Sequence, residues 1–483
     1  MVIGIIILVV TAGLPFLFKQ DWQVRLGALL GTAVTAVTVG SVAVPVLWSG
    51  SGWSNAWWNM DPFAALMTCL ILFVYVTALL VSNRYLGHEY RAEIVSLSQV
   101  KMYFSLIHIF VLSMLMAVTT NNSMLVWIAL EGTTLSSTFL VGLYKKRTSI
   151  EAAWKYIVLC STGITLGLVG VLLVNYSAHA AGFGHDIFTL TSLRESAAGL
   201  SPEIIKWAFI FLFIGFGTKV GLVPMHTWLP DAHSKAPSPI SALFSGILLN
   251  VALAVIIRFK QIVDGVLGGS EWTNNFFLTF GMLSVMLPAL ALLIQNNYKR
   301  MLAYSSIEHM GLISLAVALP PVGMVAAVIH MIGHTLTKSA LFFGAGEFLL
   351  KWKTTKIEKI RNLMRVSPYS GTLFLVGVLA IIAAPISVLF ASEYVLFGQL
   401  FLHHWILALV ALVSLSLIAF AMLRLTFSLL YGRSDNSEEM ERETWNVTHT
   451  IMTVQLILVF GLTFVLTSPA GLEFIGTIVK SVN

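Results

Sequence analysis

The stretch from Gly215 to Phe259 reads GFGTKVGLVPMHTWLPDAHSKAPSPISALFSGILLNVALAVIIRF and interrupts an otherwise apolar chain. It places Lys219 inside an apolar run, which Pro224 then breaks. A charged side chain within a membrane-spanning segment is costly and is a functional-site hypothesis by default. Proline-interrupted spans mark ion or substrate sites, because unwound backbone at membrane depth must line a cavity or be buried in protein. The stretch therefore predicts a site inside a membrane domain.

Composition indicates a polytopic membrane protein surrounded by lipid. Hydrophobic residues make up 57% of the 483 residues and charged residues only 10%, and the mean hydropathy is +0.88. A soluble domain carries about 25% charged residues. Cys69 and Cys160 each lie in an apolar run, which argues against a thiolate cluster or a disulfide framework. The first apolar run lacks a basic flank, so no removable signal peptide is expected.

Apolar runs of spanning length recur about fourteen times along the chain. They lie at about 2–18, 24–47, 62–82, 102–118, 123–144, 155–175, 204–229, 237–258, 274–295, 302–318, 323–349, 370–402, 404–431 and 447–467. The loops after odd-numbered spans hold most of the basic residues, including Arg361 and Arg433. The positive-inside rule then puts both termini outside the cytoplasm. The net charge of +6 is therefore a topology signal, and no nucleic-acid partner is expected.

Two spans contain both a proline break and a charge, Lys219 with Pro224 in span seven and Pro385 with Glu393 in span twelve. They lie five spans apart, and a duplicated unit with an odd number of helices is inserted upside down, as in many transporters. We expect an all-α single membrane domain with two inverted repeats and broken helices 7 and 12. Its segments are three N-terminal helices over 1–101, a first unit over 102–258, a second over 274–431, and a last helix with the C-terminus over 447–483.

The ionisable side chains inside the spans form a candidate proton-translocation set. Its members are Glu131, Lys219, His330, His334, Lys338 and Glu393. Each charge at depth costs roughly 2.5–3.5 kcal/mol on insertion scales, so these groups should face one another or internal water. Glu131 and Lys219 form the natural first pair, because an acid and a base from different spans change their proton balance when a neighbouring charge moves.

His330, His334 and Lys338 recur every four residues and so stack on one face of span eleven over about 12 Å. Histidine titrates near neutral pH, which gives this file the form of a proton wire. A purely structural alternative stays open, because a single buried charged side chain can serve only to hold helices together. The two histidines have zinc-ligand spacing, but no HExxH glutamate or third ligand is evident, so no metal is expected.

Several longer motifs carry a resemblance to a known family. PMHTWLPDA at 224–232, APSPISAL at 236–243 and KRMLAYSS at 299–306 resemble the antiporter-like subunits of respiratory complex I and Mrp antiporters. WIALEGTTLSS at 127–137, EAAWKY at 151–156 and SSIEHMG at 305–311 resemble the large antiporter-like subunit of formate hydrogenlyase and related group 4 membrane hydrogenases. The first resemblance covers nearly the whole chain.

The resemblance implies fourteen helices, with spans 4–8 and 9–13 as inverted units. It also implies that Glu131 and Lys219 form the pair of one half-channel, that the histidine–lysine file is the central connection, and that Glu393 is the terminal residue of the second. Two departures matter. AAPI at 383–386 replaces the family's Gly-x-Pro-Pro, so span twelve is expected to bend less. Asn250 stands where some relatives carry a histidine or lysine, so the link between the halves should depend more on water.

Supporting roles are expected for residues around the two breaks and the central link. These residues are His226, Pro224, Asp231, Asn250 and Pro385. Asp231 in particular is expected to cap or hydrogen-bond the cytoplasmic end of the first break rather than to carry protons.

The expected function is proton translocation within a redox-driven complex of a bacterial or archaeal cytoplasmic membrane. The chain has no cofactor motif, so no cofactor and no catalytic residue are expected. Electron transfer would occur in partners, namely other membrane subunits and, through them, an iron–sulfur, nickel–iron or quinone-reducing arm.

The alternative is a Na⁺/H⁺ antiporter module without redox chemistry. Carboxylates and carbonyls suit Na⁺ better than lysines do, and only Glu131 and Glu393 lie deep enough. A third reading is a structural paralogue without transport.

Overall fold

A computed structural model describes residues 1–360, 362–432 and 442–482. Three residues named in the predicted loops and C-terminal segment, Arg361, Arg433 and Asn483, lie outside the described residues. The described chain is almost entirely helical. A short antiparallel pair joins strand β1, Trp53–Ser54, to strand β2, Asn59–Met60.

The helices of the described residues follow one another along the chain. They are α1 Val2–Gly13, α2 Asp21–Ser49, α3 Pro62–Arg91, α4 Leu97–Thr119, α5 Ser123–Val141, α6 Arg147–Ala180, α7 Leu190–Glu195, α8 Pro202–Val220, α9 Trp228–Lys235, α10 Ser238–Leu243, α11 Leu249–Leu267, α12 Glu271–Leu293, α13 Tyr298–Val317, α14 Val322–Trp352, α15 Leu363–Val366, α16 Pro368–Ile381, α17 Val388–Tyr431, α18 Val447–Leu466 and α19 Pro469–Lys480. A π-helical segment, Phe244–Leu248, joins α10 to α11. Four 3₁₀ segments lie at Leu14–Leu17, Gly184–Phe188, Ala197–Gly199 and Ile357–Lys359.

Among the described residues, ten helical stretches are long and apolar enough to cross a membrane by length and composition. They are α2, α3, α4, α5, α6, the continuous stretch Ser238–Leu267, α12, α14, α17 and α18. Helices α8 and α13 have similar lengths, but each contains three charged residues. The polytopic all-α architecture is confirmed, whereas the count of fourteen spans stays a prediction.

Short polar side chains fix where several spans begin. Asn122 accepts hydrogen bonds from the first amides of α5, Asn297 does so for α13, and Ser387 accepts from the amide of Phe390 in α17. These caps satisfy amides that have no partner inside the helix. In lipid such groups find no water, so the caps also help to set the depth of each helix.

The centre of the molecule is built from the stretch Ser238–Leu267 and from α14. Their most apolar 18-residue windows are 100% and 94% buried, compared with 33% for α2 at the periphery. A helix that is buried all round can carry polar groups without exposing them to lipid. The predicted histidine–lysine file therefore lies in the protein interior.

Both predicted helix breaks are present. Helix α8 ends at Val220, Gly221 adopts a left-handed φ of 80°, and α9 begins at Trp228. The second break separates α16 from α17, and its Ala383 and Ile386 have φ values of 56° and 79°. The break is thus present although AAPI replaces Gly-x-Pro-Pro, and the expectation that span twelve bends less than in relatives stays a prediction. Left-handed backbone at a β-branched residue is unfavourable and marks a constrained segment.

Candidate functional site

Lys219 lies in the last turn of α8, directly before the first break, and is fully buried. Its Nζ donates hydrogen bonds to Thr134 Oγ1 at 2.8 Å and to the Tyr156 hydroxyl at 2.6 Å. The same Nζ lies 4.9 Å from the centroid of the Tyr156 ring. Neutral oxygens and an aromatic ring therefore solvate this ammonium group.

Glu131 lies one turn before Thr134 on α5, so both side chains share one helix face. Glu131 Oε1 accepts a hydrogen bond from Ser161 Oγ at 2.7 Å, and its buried Oε2 has no hydrogen-bond partner among the described residues. No direct hydrogen bond joins Glu131 to Lys219 among the described residues, because Lys219 Nζ donates to Thr134 and Tyr156. Their role as the first acid–base pair stays a prediction.

Tyr156 joins Lys219 to the helix break. Its hydroxyl also bonds Ser137 Oγ at 2.7 Å, and its ring lies 4.7 Å from that of Trp228. Trp228 Nε1 donates to the carbonyl oxygen of Thr218 at 2.8 Å. This bond satisfies a backbone acceptor at the open end of α8. Sequence reasoning did not select Tyr156 as a site residue. It lies one and a half helical turns after Glu151, in the same stretch as Lys155.

The supporting residues around the first break have separate positions. Asp231 lies in the first turn of α9 and accepts hydrogen bonds from Arg300 and, at 3.4 Å, from Lys155. Asp231 therefore lies in an ion pair at the start of α9, and its structural role stays a prediction. His226 and Pro224 both lie in the connection between α8 and α9, where His226 is buried.

Asn250 connects α11 to α14. Its side-chain amide donates to Thr335 Oγ1 at 3.0 Å and to the carbonyl of Met331 at 3.3 Å, both on α14. The π-helical segment immediately precedes it, and a Cβ added to Gly246 would lie 3.3 Å from the carbonyl oxygen of Thr335. π-Bulges inside α-helices occur frequently at functional sites.

His233, which the sequence reasoning did not select, is buried between the halves. Its ring stacks on Phe342 of α14 at 4.9 Å and lies 5.8 Å from Phe244. Neither ring nitrogen has a hydrogen-bond partner among the described residues. Phe244 also packs 5.9 Å from Tyr156, so His233 lies between the surroundings of Lys219 and α14. In the sequence His233 is only one residue of the motif around the first break, so its position beside α14 could not be predicted.

The histidine–lysine file occupies the buried interior of α14 and contacts α13. Lys338 Nζ donates to the carbonyl of Leu302 at 3.0 Å. The His334 ring lies 5.4 Å from that of His309 on α13. His330 Nε2 is hydrogen-bonded to His309 Nδ1 at 2.9 Å, and its Nδ1 to Ser392 Oγ at 2.9 Å. The three predicted residues are thus joined on one side by α13.

Glu308 and His309 extend the file, and the sequence reasoning missed both as site residues. Both are buried on α13, and Glu308 Oε2 lies 3.4 Å from His309 Nε2. A cavity of about 20 Å³ lies between Glu308 and Glu393, which is enough for one water molecule. The available signal was a Glu-His dipeptide within an apolar run, at SSIEHMG.

Glu393 lies in the second turn of α17, just after the break that contains Pro385. Its side chain is half-buried and lines a cavity of about 710 Å³, together with Ile382, Ala383 and Tyr394. Glu393 therefore lies where the internal file meets an open cavity. The structure thus brings Glu393 close to the file, whereas Glu131 and Lys219 form a separate group beyond Asn250.

The fold, its two broken helices and the buried lysine, histidine and glutamate side chains define a polytopic membrane protein of the antiporter-like class. The family model described as NADH:quinone oxidoreductase/Mrp antiporter, TM, matches residues 120–419. The chain belongs to this family.

Two relatives carry hydrogenase names. The hydrogenase-4 component F homolog of Methylacidiphilum infernorum is 38% identical over 351 residues, which are 72% of this chain and 74% of that protein. The hydrogenase-4 component B of Escherichia coli is 30% identical over 426 residues, 83% of this chain and 60% of that protein. The resemblance to membrane hydrogenase subunits is therefore confirmed.

Two solved structures share the fold at 22% identity. One is the archaeal membrane-bound sulfane sulfur reductase, with a TM-score of 0.84, covering 99% of this chain and 95% of that chain. The other is respiratory complex I from Thermus thermophilus, with a TM-score of 0.77 and 98% of each chain covered. These likenesses confirm the complex I type of membrane-subunit fold.

Proposed function

We propose that this chain is the proton-translocating, antiporter-like subunit of a redox-driven membrane complex, and that it carries no catalytic residue itself. The observation that carries the proposal is the series of buried titratable groups that begins at Lys219 and ends at the half-buried Glu393, beside a cavity of about 710 Å³. Such side chains are costly inside a membrane and mark ion pathways and proton relays.

The coupling step lies at Glu131 and Lys219. Among the described residues, Glu131 has one oxygen without a hydrogen-bond partner, and Lys219 donates to two hydroxyl groups and lies over an aromatic ring. A partner that moves Glu131 or a nearby charge changes the proton affinity of Lys219, because nearby charges and hydrogen bonds both set that affinity.

The transfer path follows the described contacts. From Lys219 the proton passes the region of His233 and Asn250 and reaches Lys338, using internal water where no direct contact exists. It then follows His334, the His309–His330 pair and, through a water, Glu308 to Glu393. Water-mediated hydrogen bonds serve such steps nearly as well as direct ones.

The proton suits this path better than Na⁺ does. Two of the groups are lysines, which repel a cation when protonated and offer it no anionic ligand. Glu131 and Glu393 lie in different halves, so they do not form one carboxylate cage. A Na⁺/H⁺ antiporter module without redox chemistry is therefore not favoured.

The proposal includes partners and orientation. The relatives are named as components or subunits of hydrogenases and quinone oxidoreductases, which supports other membrane subunits as neighbours. Through them we place an iron–sulfur, nickel–iron or quinone-reducing arm. We also propose inverted units over 102–258 and 274–431, both termini on the outer side, and a bacterial or archaeal cytoplasmic membrane.

The decisive experiment is proton pumping by the purified complex in liposomes. Lys219→Ala should reduce pumping at least tenfold while the complex still assembles. Lys206→Ala is the matched control, because Lys206 lies exposed near the other end of the same helix, and it should pump normally. Wild-type pumping by Lys219→Ala would refute the proposed function.

A further inference from the structure

Three helices bring potential metal ligands together at the end of the file. His309 of α13, His330 of α14 and Glu393 of α17 each offer one ligand atom, and these atoms all lie within 4.8 Å of one another. His309 and His330 are buried, and Glu393 is half-buried. His309 Nε2 has no hydrogen-bond partner among the described residues. The cluster thus combines two buried imidazoles with a half-buried carboxylate on its open side.

Two imidazoles and one carboxylate match the chemistry of zinc. A His₂Glu set with water in the fourth position is a known zinc arrangement, with Zn–N distances of about 2.0–2.1 Å. Two ligands of a tetrahedral zinc then stand roughly 3.3 Å apart. His309 Nδ1 and His330 Nε2 lie 2.9 Å apart, so they need to separate by only about 0.4 Å if these two nitrogens are the ligands.

The surroundings supply both orientation and access. Ser392 Oγ holds the other nitrogen of His330 at 2.9 Å, and Glu308 lies 3.4 Å from His309 Nε2. Outer partners of this kind orient metal-bound histidines. The cavity beside Glu393 provides a route for the ion and room for a water ligand.

We propose that His309, His330 and Glu393 form a Zn²⁺-binding site, and that a bound ion closes the relay at this end. Binding stands on the ligand geometry alone, whereas the blocking effect rests on the proposed function. The sequence-based expectation of no metal considered only His330 and His334, which lie on one helix. In the structure the three proposed ligands come from three different helices.

The test is Zn²⁺ binding by the purified full chain, measured by equilibrium dialysis. The wild type should bind one Zn²⁺ in the micromolar range or tighter, and His309→Gln and Glu393→Gln should each weaken binding at least tenfold. His108→Gln is the control, because His108 is equally buried but is hydrogen-bonded to Tyr75, and it should bind like the wild type. Equal binding by all variants, or no stoichiometric binding, would overturn the site.

A second measurement avoids variants that fail to fold. X-ray absorption of Zn²⁺ on the wild-type chain should show two imidazoles and low-atomic-number oxygen ligands at four-coordinate distances. A shell without imidazole would overturn the assignment.

The blocking effect is tested separately, on wild-type complex in liposomes. Zn²⁺ should stop pumping reversibly with chelator, and Mg²⁺ at the same concentration should not. Unchanged pumping with zinc bound would overturn the blocking effect alone. An untreated complex that never pumps would instead refute the proposed function, and it would leave the binding result intact.

Discussion

At the scale of single residues, the chemistry of the site depends on what solvates each buried charge. The sequence alone identifies Lys219, Lys338 and Glu393, because a charge within an apolar run is visible without coordinates. It does not identify their partners. Lys219 binds two hydroxyl groups, and Lys338 binds a backbone carbonyl. Serine, threonine and tyrosine occur throughout the spans, so their selection by a given lysine depends on helix packing.

Tyr156→Phe tests the solvation of Lys219. The substitution removes a hydroxyl 2.6 Å from the ammonium but keeps the ring that packs on Trp228. Hydrogen bonds to charged groups contribute about 1.5–3 kcal/mol to stability, so we expect a lower melting temperature, and pumping in liposomes that falls about tenfold or more because Lys219 loses a hydrogen-bond acceptor. Tyr103→Phe is the matched control, since its equally buried hydroxyl bonds only Ser82 among the described residues. Equal effects of the two substitutions would argue against a special role for Tyr156.

His233→Phe tests the link between the halves. Phenylalanine keeps the stacking on Phe342 but removes the titratable group between Phe244 and α14. We expect pumping to fall at least fivefold while the melting temperature stays within a few degrees. His108→Phe should show the opposite pattern, lower stability through its lost bond to Tyr75 and unchanged pumping. Normal pumping by His233→Phe would show that the proton bypasses this residue through Asn250 and water.

At the scale of elements, the breaks were predictable and the contacts between helices were not. Proline together with a charge marked both interrupted spans, and the structure contains both breaks. The sequence also predicts that one span ends at 402 and the next begins at 404. At this point α17 has a non-helical φ of −147°, at His404. Glu308 and His309 were missed, because only the packing of α13 against α14 shows that they face the file. The π-helical segment before Asn250 likewise has no signature in residue spacing.

Gly215→Ala tests the packing of α8 on α6. A Cβ at Gly215 would lie 2.3 Å from the backbone nitrogen of Gly167, and backbone cannot rotate away as a side chain can. Overpacking costs typically about 1–3 kcal/mol, so we expect a lower thermal unfolding temperature. Pumping should fall too, because Lys219 lies one turn further along the same helix. Gly461→Ala has no atom within 4 Å of the new Cβ and should leave both properties unchanged.

At the scale of the whole molecule, orientation is set by charges at the helix ends and by aromatic residues at the lipid boundary. Trp48 and Trp57 are 78% and 61% exposed, as expected for side chains at a membrane interface. Lys145 and Lys146 precede α6, at the other end of α5. Because positive residues stay on the cytoplasmic side, we predict that the tryptophans and the chain termini lie on the outer side. In that orientation, protons that reach the outer side have crossed from the face that carries Lys145 and Lys146.

Cysteine labelling of intact cells tests this orientation. In a Cys69→Ala background the remaining Cys160 is fully buried and should not react with a membrane-impermeant maleimide. Ser51→Cys, in the exposed connection after α2, should be labelled in intact cells. Thr148→Cys, exposed near the start of α6, should be labelled only after the cells are permeabilised. The reverse labelling pattern would show that the molecule has the opposite orientation in the membrane. The proposed direction of proton transfer would then be reversed as well.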